Sequence, residues 1–165
     1  QDDAVLDWET LRLQIPVREL PEDQLERSRR VLEEHPEPVW TDDTRTLTEW
    51  QWMEAAQLMS VHLFQRREPV LDYEVQVLRI GDVAIVGLPG EPFVEGQLRI
   101  KMASPARLTY VAHAVNQYVG YIGTKEAFAR GGHEVNTTYW SKLVPEALDM
   151  IVDGAHKCLT GVFGR

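Results

Sequence analysis

Residues 82–93 read Asp-Val-Ala-Ile-Val-Gly-Leu-Pro-Gly-Glu-Pro-Phe, and this stretch decides the fold. Its apolar run, Val83–Leu88, has the length and the β-branched content of a buried strand. A Pro-Gly pair ends the run, Glu91 stands at its exit, and Pro92 occupies the position where a helix would begin. We therefore expect a strand, a sharp turn that carries a carboxylate, and then a helix.

A second strand with a polar exit follows along the chain. Residues 108–124 read Leu-Thr-Tyr-Val-Ala-His-Ala-Val-Asn-Gln-Tyr-Val-Gly-Tyr-Ile-Gly-Thr. The apolar run 108–115 predicts a strand that ends at Asn116 and leads into a loop containing Tyr118 and Tyr121. The ends of neighbouring strands are where α/β folds usually place their sites.

The residues around these two strands predict an α/β fold, with a mixed β-sheet and flanking helices. Residues 73–80 alternate and precede a Gly-Asp turn, which indicates a β-hairpin with the strand at 83–88. Val94, Leu98 and Met102 recur every four residues and predict a helix over 92–102, so the next strand is reached by a parallel crossover. Gly96 inside this helix indicates close packing there.

The rest of the chain supplies further elements. Residues 11–17 alternate as a half-buried strand, and Pro16 places this strand at an edge of the sheet. Four more helices are predicted, and Thr124 is expected to cap the third of them. They begin near residue 21, span about 47–65, span 125–130, and start at Pro145, the last with Leu148, Ile151, Val152 and Ala155 facing inward.

Composition excludes several classes of function. The 165 residues carry a formal net charge of −9, and no basic stripe offsets the acidity, so nucleic acid is not expected as a partner. The single cysteine, Cys158, excludes an internal disulfide and a cysteine-rich zinc cluster, and we interpret it as a structural thiol on a helix. No run reaches the roughly 18 apolar residues that a transmembrane helix needs. The chain opens on Gln1, so we expect a processed product or an excerpt of a longer protein.

Glu91 and the two tyrosines are the side chains best placed for chemistry. A carboxylate held after a Pro-Gly turn suits a metal ligand or a general base, and the alternative is a glutamate favoured by the helix dipole. Tyr118 and Tyr121 could point into a cleft where a cation favours the phenolate, and the alternative is a loop of packing aromatics. His113 fits a core position, whereas His133 follows two glycines and is expected to be exposed.

Two segments resemble the neutral/alkaline, non-lysosomal ceramidase family. They are residues 75–91, which end in Leu-Pro-Gly-Glu, and residues 116–128, which read Asn-Gln-Tyr-Val-Gly-Tyr-Ile-Gly-Thr-Lys-Glu-Ala-Phe and are followed by Gly-Gly-His-Glu. The resemblance covers about residues 70–163 and corresponds to the C-terminal part of the catalytic domain of that family. Residues 1–165 would then be a single domain or the C-terminal portion of a larger layered catalytic domain.

The resemblance implies a zinc-dependent amide hydrolase that converts N-acylsphingosine to sphingosine and a fatty acid. Zinc would be held by two histidines, a glutamate and a tyrosine, of which Glu91 and Tyr121 are the two that match here. The family's substrate-contacting tyrosine falls on His133, and Tyr118 would be a wall residue of the substrate site. Because the two histidines lie upstream of the matched region, the chain alone is expected to be inactive and to need the remaining N-terminal part of the same protein.

Two other functions remain open from the sequence. One is a non-catalytic domain of the same fold that binds an acyl lipid or a protein. The other is a metal hydrolase of other N-acyl amides, because His133 departs from the family's pattern.

Overall fold

The computed structural model describes residues 5–164. Five helices and six strands are assigned within this range. In chain order they are β1 (Leu6–Pro16), α1 (Glu22–Glu34), α2 (Trp50–Arg67), β2 (Val70–Ile80), β3 (Val83–Leu88), β4 (Glu91–Pro92), α3 (Val94–Met102), β5 (Leu108–His113), β6 (Tyr121–Ile122), α4 (Lys125–Arg130) and α5 (Ala147–Phe163).

The strands form a mixed sheet in the order β1-β2-β3-β5, with β4 and β6 in a separate two-stranded sheet. Strands β1, β2 and β3 pair antiparallel, and β3 pairs parallel with β5. The predicted hairpin, the parallel crossover through α3 and the edge position of the strand that contains Pro16 are therefore confirmed. The α/β fold class with a mixed sheet and flanking helices is also confirmed.

One face of the sheet is buried under α5 and α3. The four predicted inward residues of α5 are each at most 2% exposed and belong to the core that α5 forms with β1 and β2. A Cβ added at Gly96 would lie 2.7 Å from Cδ1 of Leu148, which confirms the close packing predicted at this glycine. The cap is also confirmed, because Thr124 Oγ1 accepts a hydrogen bond from the Ala127 amide over 3.1 Å.

Some boundaries and faces differ from the prediction. The helix expected from Pro92 begins at Val94, because Glu91–Pro92 is drawn into pairing with β6. Strand β5 ends at His113 instead of residue 115, since Ala114 and Asn116 have left-handed backbone angles (φ 54° and 63°) that an extended strand excludes.

The apolar spacing of α3 predicted the helix correctly, but these side chains do not face the core. Val94, Leu98 and Met102 are between 49% and 79% exposed, whereas Gly96 and Ile100 form the buried side. In α2, Val61 reaches the core, whereas Leu63 is exposed. No helix in residues 5–164 combines the length and hydropathy that would let it span a bilayer.

Candidate functional site

The short sheet of β4 and β6 brings Glu91 next to Tyr121. The two residues are direct register partners in a parallel pair. The Glu91 amide donates to the Gly120 carbonyl over 2.8 Å, and the Phe93 amide donates to the Ile122 carbonyl over 3.0 Å. Two segments thirty residues apart in the sequence are thus fixed side by side at the carboxyl ends of β3 and β5.

Two glycines make this approach sterically feasible. Gly90 has φ +71°, and a Cβ there would lie 2.5 Å from the Gly120 carbonyl oxygen. Gly120 has φ +88°, and a Cβ there would overlap the Trp140 carbonyl oxygen. Both positions combine a left-handed backbone with backbone contact. Any other residue at Gly90 would push the Glu91 and Tyr121 segments apart, and any other residue at Gly120 would push the Tyr121 loop away from Trp140.

Buried polar side chains anchor the two segments from behind. The Tyr73 hydroxyl donates to the Pro89 carbonyl over 2.7 Å, and burial raises the pKa of this phenol. The Lys142 ammonium donates to the carbonyls of Val119 and Tyr139, each over 3.0 Å. Lys142 is 4% exposed, and burial lowers its pKa. The turn before Glu91 and the loop before Tyr121 are therefore held by side chains on other elements.

Glu91 and Tyr121 both line one cavity, whose volume is about 530 Å3. Its wall also contains two polar side chains that the sequence did not single out together, His113 and Glu134. The remaining wall is largely apolar and includes Leu88, Phe93, Val94 and Val111. A few polar groups converging on an apolar cavity is the usual arrangement of a small-molecule site.

Tyr118 contacts Glu91 directly. Its hydroxyl donates to Glu91 Oε1 over 2.9 Å, while the side chain is 57% exposed. This hydrogen bond to Glu91 is the largest cause of a raised pKa for the Tyr118 phenol, followed by burial and by the negative charge of Glu91. The protonated phenol is thus the form that the carboxylate favours.

The exposure predicted for His133 is observed, whereas the core position predicted for His113 is not. His133 lies edge-on to Tyr121, with ring centroids 6.3 Å apart, and stacks at a tilt on Trp140 at 5.6 Å. It is exposed, as expected, and it lies beside Tyr121 but does not line the cavity. The core position expected for His113 is wrong, because β5 is an edge strand and leaves its last residue exposed at the cavity.

Cys158 is buried on a helix, as the structural interpretation of this thiol requires. It lies on α5 with no exposed surface, and burial raises its pKa to about 11. A buried thiol of this kind is inert and supports the structural interpretation.

The donor atoms at the cavity fit part of a zinc site. A carboxylate and a phenol are oxygen donors that zinc accepts, and here they lie on adjacent strands and face the same cavity. Among residues 5–164, however, no group of three or more His, Cys, Asp and Glu side chains is close enough to hold a metal ion. The described residues therefore supply two adjacent oxygen donors and no complete metal site.

Sequence reasoning missed Lys142 and Glu134 at this site and placed His113 in the core. A lone lysine in a polar segment carries no signal of burial, and Glu134 lies in a loop whose path only the fold reveals. His113 could have been found, because it is the last residue of β5 and the strand-exit rule that selected Asn116 applies to it equally.

Comparison with known proteins gives structural matches only. No family model matches the chain, and no curated protein matches its sequence. A solved structure of neutral ceramidase from Pseudomonas aeruginosa matches 97% of the chain with 16% identity and a TM-score of 0.56. A structure described as ceramidase complexed with C2 matches 76% of the chain with 20% identity and a TM-score of 0.51.

The matches cover only a minor part of those proteins. The chain spans 29% of the Pseudomonas aeruginosa ceramidase and 18% of the other ceramidase. At these identities the likeness concerns the fold, and it agrees with the resemblance that the motifs at Glu91 and Tyr121 indicate. The chain therefore has a ceramidase-like fold that corresponds to a part of a neutral ceramidase.

Proposed function

We propose that this chain is the C-terminal portion of the catalytic domain of a zinc-dependent amide hydrolase that acts on N-acyl lipids of the ceramide type. In this proposal Glu91 and Tyr121 are two of four zinc ligands, and the others come from the N-terminal part of the same protein. The chain by itself is inactive, because two ligands do not make a competent catalytic zinc site.

One observation carries the proposal above the others. Glu91 and Tyr121, selected from the sequence as two ligands of one ion, are direct partners in the β4–β6 pair and line the same cavity. Their convergence depends on Gly90, because a Cβ at that position would lie 2.5 Å from the Gly120 carbonyl oxygen. Glycine adopts a left-handed backbone at no steric cost, so it is the residue expected where two backbones approach this closely.

Zinc, Tyr118 and the apolar wall of the cavity would each have a separate role. When bound, zinc would lower the pKa of a coordinated water and polarise the amide oxygen of the substrate. Tyr118 would orient the Glu91 carboxylate through its hydrogen bond. The apolar wall formed by Leu88, Phe93 and Val111 would exclude water and accept part of an acyl chain.

His133 bears on the choice between ceramide and other N-acyl amides as the substrate. It occupies the position of the family's substrate-contacting tyrosine and lies beside Tyr121, where its imidazole could donate a hydrogen bond to a substrate. A histidine is shorter and more polar than a tyrosine, so hydrolysis of other N-acyl amides is the second enzymatic candidate. A non-catalytic binding domain is the third candidate, favoured by the incomplete ligand set within residues 5–164.

The experiment compares the longer protein with two variants. We expect Glu91→Ala to abolish stoichiometric zinc, measured by elemental analysis, and to abolish release of fatty acid from ceramide. Glu95→Ala is the matched control, because Glu95 is an exposed glutamate in the first turn of the neighbouring helix α3. Full zinc occupancy in Glu91→Ala would remove Glu91 from the ligand set.

Two further measurements separate the candidates. Activity on short N-acyl amino acids but not on ceramide would favour the second candidate. Tightly bound, stoichiometric zinc in the isolated 165-residue chain would contradict the proposal that the ligands are shared with another part of the protein.

A further inference from the structure

One face of the four-stranded sheet carries no helix within residues 5–164. Helices α5 and α3 pack on the opposite face, against β1, β2 and β5. On the open face, none of the side chains that β1, β2, β3 and β5 direct outward is buried. The register shows which of these side chains lie side by side.

The open face is divided into a polar half and an apolar half. In the polar half, Arg12 lies opposite Glu74 and forms an ion pair with it over 3.5 Å. In the apolar half, two rows of register-matched residues cross all four strands. We call these eight residues the apolar sheet patch: Leu6, Ile80, Val83 and Leu108 in one row, and Trp8, Leu78, Ile85 and Tyr110 in the other.

The apolar sheet patch is unusual for a surface in contact with water. Trp8 is 68% exposed, Tyr110 is 58% exposed and Leu78 is 47% exposed. A sheet with one solvated face normally alternates apolar residues inward with polar residues outward. Here both rows are apolar on the outward side as well, and contiguous apolar surface of this extent marks an interaction site.

The shape and chemistry of the patch fit another β-sheet. Two rows across four paired strands form a broad, gently twisted surface, and stacked sheets pack face to face at a spacing of about 10 Å. A second copy of the chain is disfavoured as the occupant, because each copy carries a formal net charge of −9. The same charge disfavours an anionic lipid surface.

We propose that the apolar sheet patch packs against a second β-layer contributed by the N-terminal part of the same protein. This rests on the proposed function in taking the chain to be part of a larger catalytic domain. The chain spans only 29% and 18% of the two ceramidase structures. A protein of that length has enough additional residues to form another layer. The interface is distinct from the cavity, because Val83 and Leu108 are the first residues of β3 and β5 and the cavity lies at the other ends of these strands.

Thiol labelling tests this proposal directly. Leu78→Cys places a reactive thiol in the centre of the apolar sheet patch, and the native Cys158 contributes little because it is fully buried with a pKa raised to about 11. Glu33→Cys, on the exposed side of α1, is the matched control. If Leu78→Cys does not fold, Tyr110→Cys on β5 probes the same patch.

We expect Leu78→Cys and Glu33→Cys to react with maleimide at similar rates in the isolated chain. In the longer protein, the labelling rate of Leu78→Cys should fall by about tenfold or more, whereas the rate of Glu33→Cys should not. Equal labelling rates of Leu78→Cys in the isolated chain and in the longer protein would overturn the proposal. So would protection in the isolated chain that grows with protein concentration, or protection that requires phosphatidylglycerol vesicles. The labelling depends on neither zinc nor hydrolysis, so it can succeed when the enzymatic proposal fails.

Discussion

The Tyr118 hydroxyl donates a hydrogen bond to Glu91 Oε1 over 2.9 Å, across 27 residues of sequence. The donor lies on the loop that leads to Tyr121, and the acceptor lies on β4 beside Tyr121. One loop therefore supplies both the predicted phenolic ligand and the group that orients the predicted carboxylate ligand. A displacement of this loop would change two groups of the site at once.

The first prediction concerns the orientation of Glu91. Tyr118→Phe removes the hydrogen bond but keeps the ring, so we expect zinc affinity in the longer protein to fall about tenfold, as is typical when the partner of a ligand is lost. The free energy of unfolding should change by less than about 0.5 kcal/mol, because Tyr118 is 57% exposed. Competition with a chromophoric chelator measures the affinity, and urea unfolding measures the stability.

Tyr139→Phe is the control for this variant. Tyr139 is also 57% exposed, and its contribution to the loop comes from its carbonyl and ring, which phenylalanine keeps. Equal zinc affinity in Tyr118→Phe and Tyr139→Phe would show that the hydrogen bond does not position Glu91.

The second prediction concerns the close approach of Gly120 to Trp140. Gly120→Ala adds a Cβ that overlaps the Trp140 carbonyl and also strains a backbone with φ +88°. Gly131→Ala strains a similar backbone, φ +77°, but meets no atom within 4 Å. We expect Gly131→Ala to lower the free energy of unfolding by about 1 kcal/mol and Gly120→Ala to lower it by about 3 kcal/mol or more. Urea unfolding checks this, and equal losses would show that the approach at Gly120 is loose.

Local signals were enough to predict most of the fold. Three features were predicted correctly: the hairpin at Gly81, the cap at Thr124 and the inward stripe of α5. Each of them depends on residues that are close together in the sequence, so a local pattern is enough to predict it. In β2 and α3, apolar residues did not reveal which side of the element is covered. Leu78 and Val94 look like core residues in sequence but face outward, because the described chain places nothing over them.

Within the candidate site, only Glu91 and Tyr121 could be predicted from sequence motifs. Glu91 and Tyr121 stand next to sharp turns that the sequence displays, but their pairing involves strands of two residues that no pattern reveals. Lys142 anchors the loop through a buried charge, against the usual exposure of lysine, and only the packing of distant segments explains it.

The third prediction follows from the ion pairs that join α3, α4 and α5. Asp149 accepts from Lys125 over 2.9 Å and from Arg99 over 2.6 Å, and these two cations lower its pKa. A lowered folded-state pKa means that the stabilisation is present above the unfolded pKa, near 4, and is lost as pH falls through the folded pKa. Because Asp149 is about 42% exposed, water screens the pairs and the contribution stays below about 1 kcal/mol.

We therefore expect Asp149→Asn to be less stable than the parent at pH 7, and we expect this difference in stability to shrink as the pH is lowered toward 2. Asp153→Asn, on the exposed side of the same helix, should not show this pH-dependent difference. Urea unfolding at both pH values measures it, and a gap between Asp149→Asn and the parent that persists at pH 2 would contradict the ion-pair origin.

The last prediction concerns the anchor of the Tyr121 loop. Lys142→Met fills a similar volume but leaves the carbonyls of Val119 and Tyr139 without their ammonium donor. Unpaired buried carbonyls destabilise by about 1–3 kcal/mol, partly offset because the buried charge is also removed. We expect a global loss of about 1 kcal/mol and a larger local effect, with faster hydrogen exchange at the Tyr121 amide, which donates to the Trp140 carbonyl.

The local effect separates an anchor from a general contribution to stability. Lys157→Met, at an exposed position on α5, should leave exchange at Tyr121 unchanged. In Lys142→Met, hydrogen exchange at the Ile151 amide in the core of α5 should accelerate only by the factor that corresponds to the loss in the global free energy of unfolding. If hydrogen exchange at the amides of Tyr121 and Ile151 accelerates by the same factor, Lys142 stabilises the whole domain and does not specifically hold the loop that carries Tyr121.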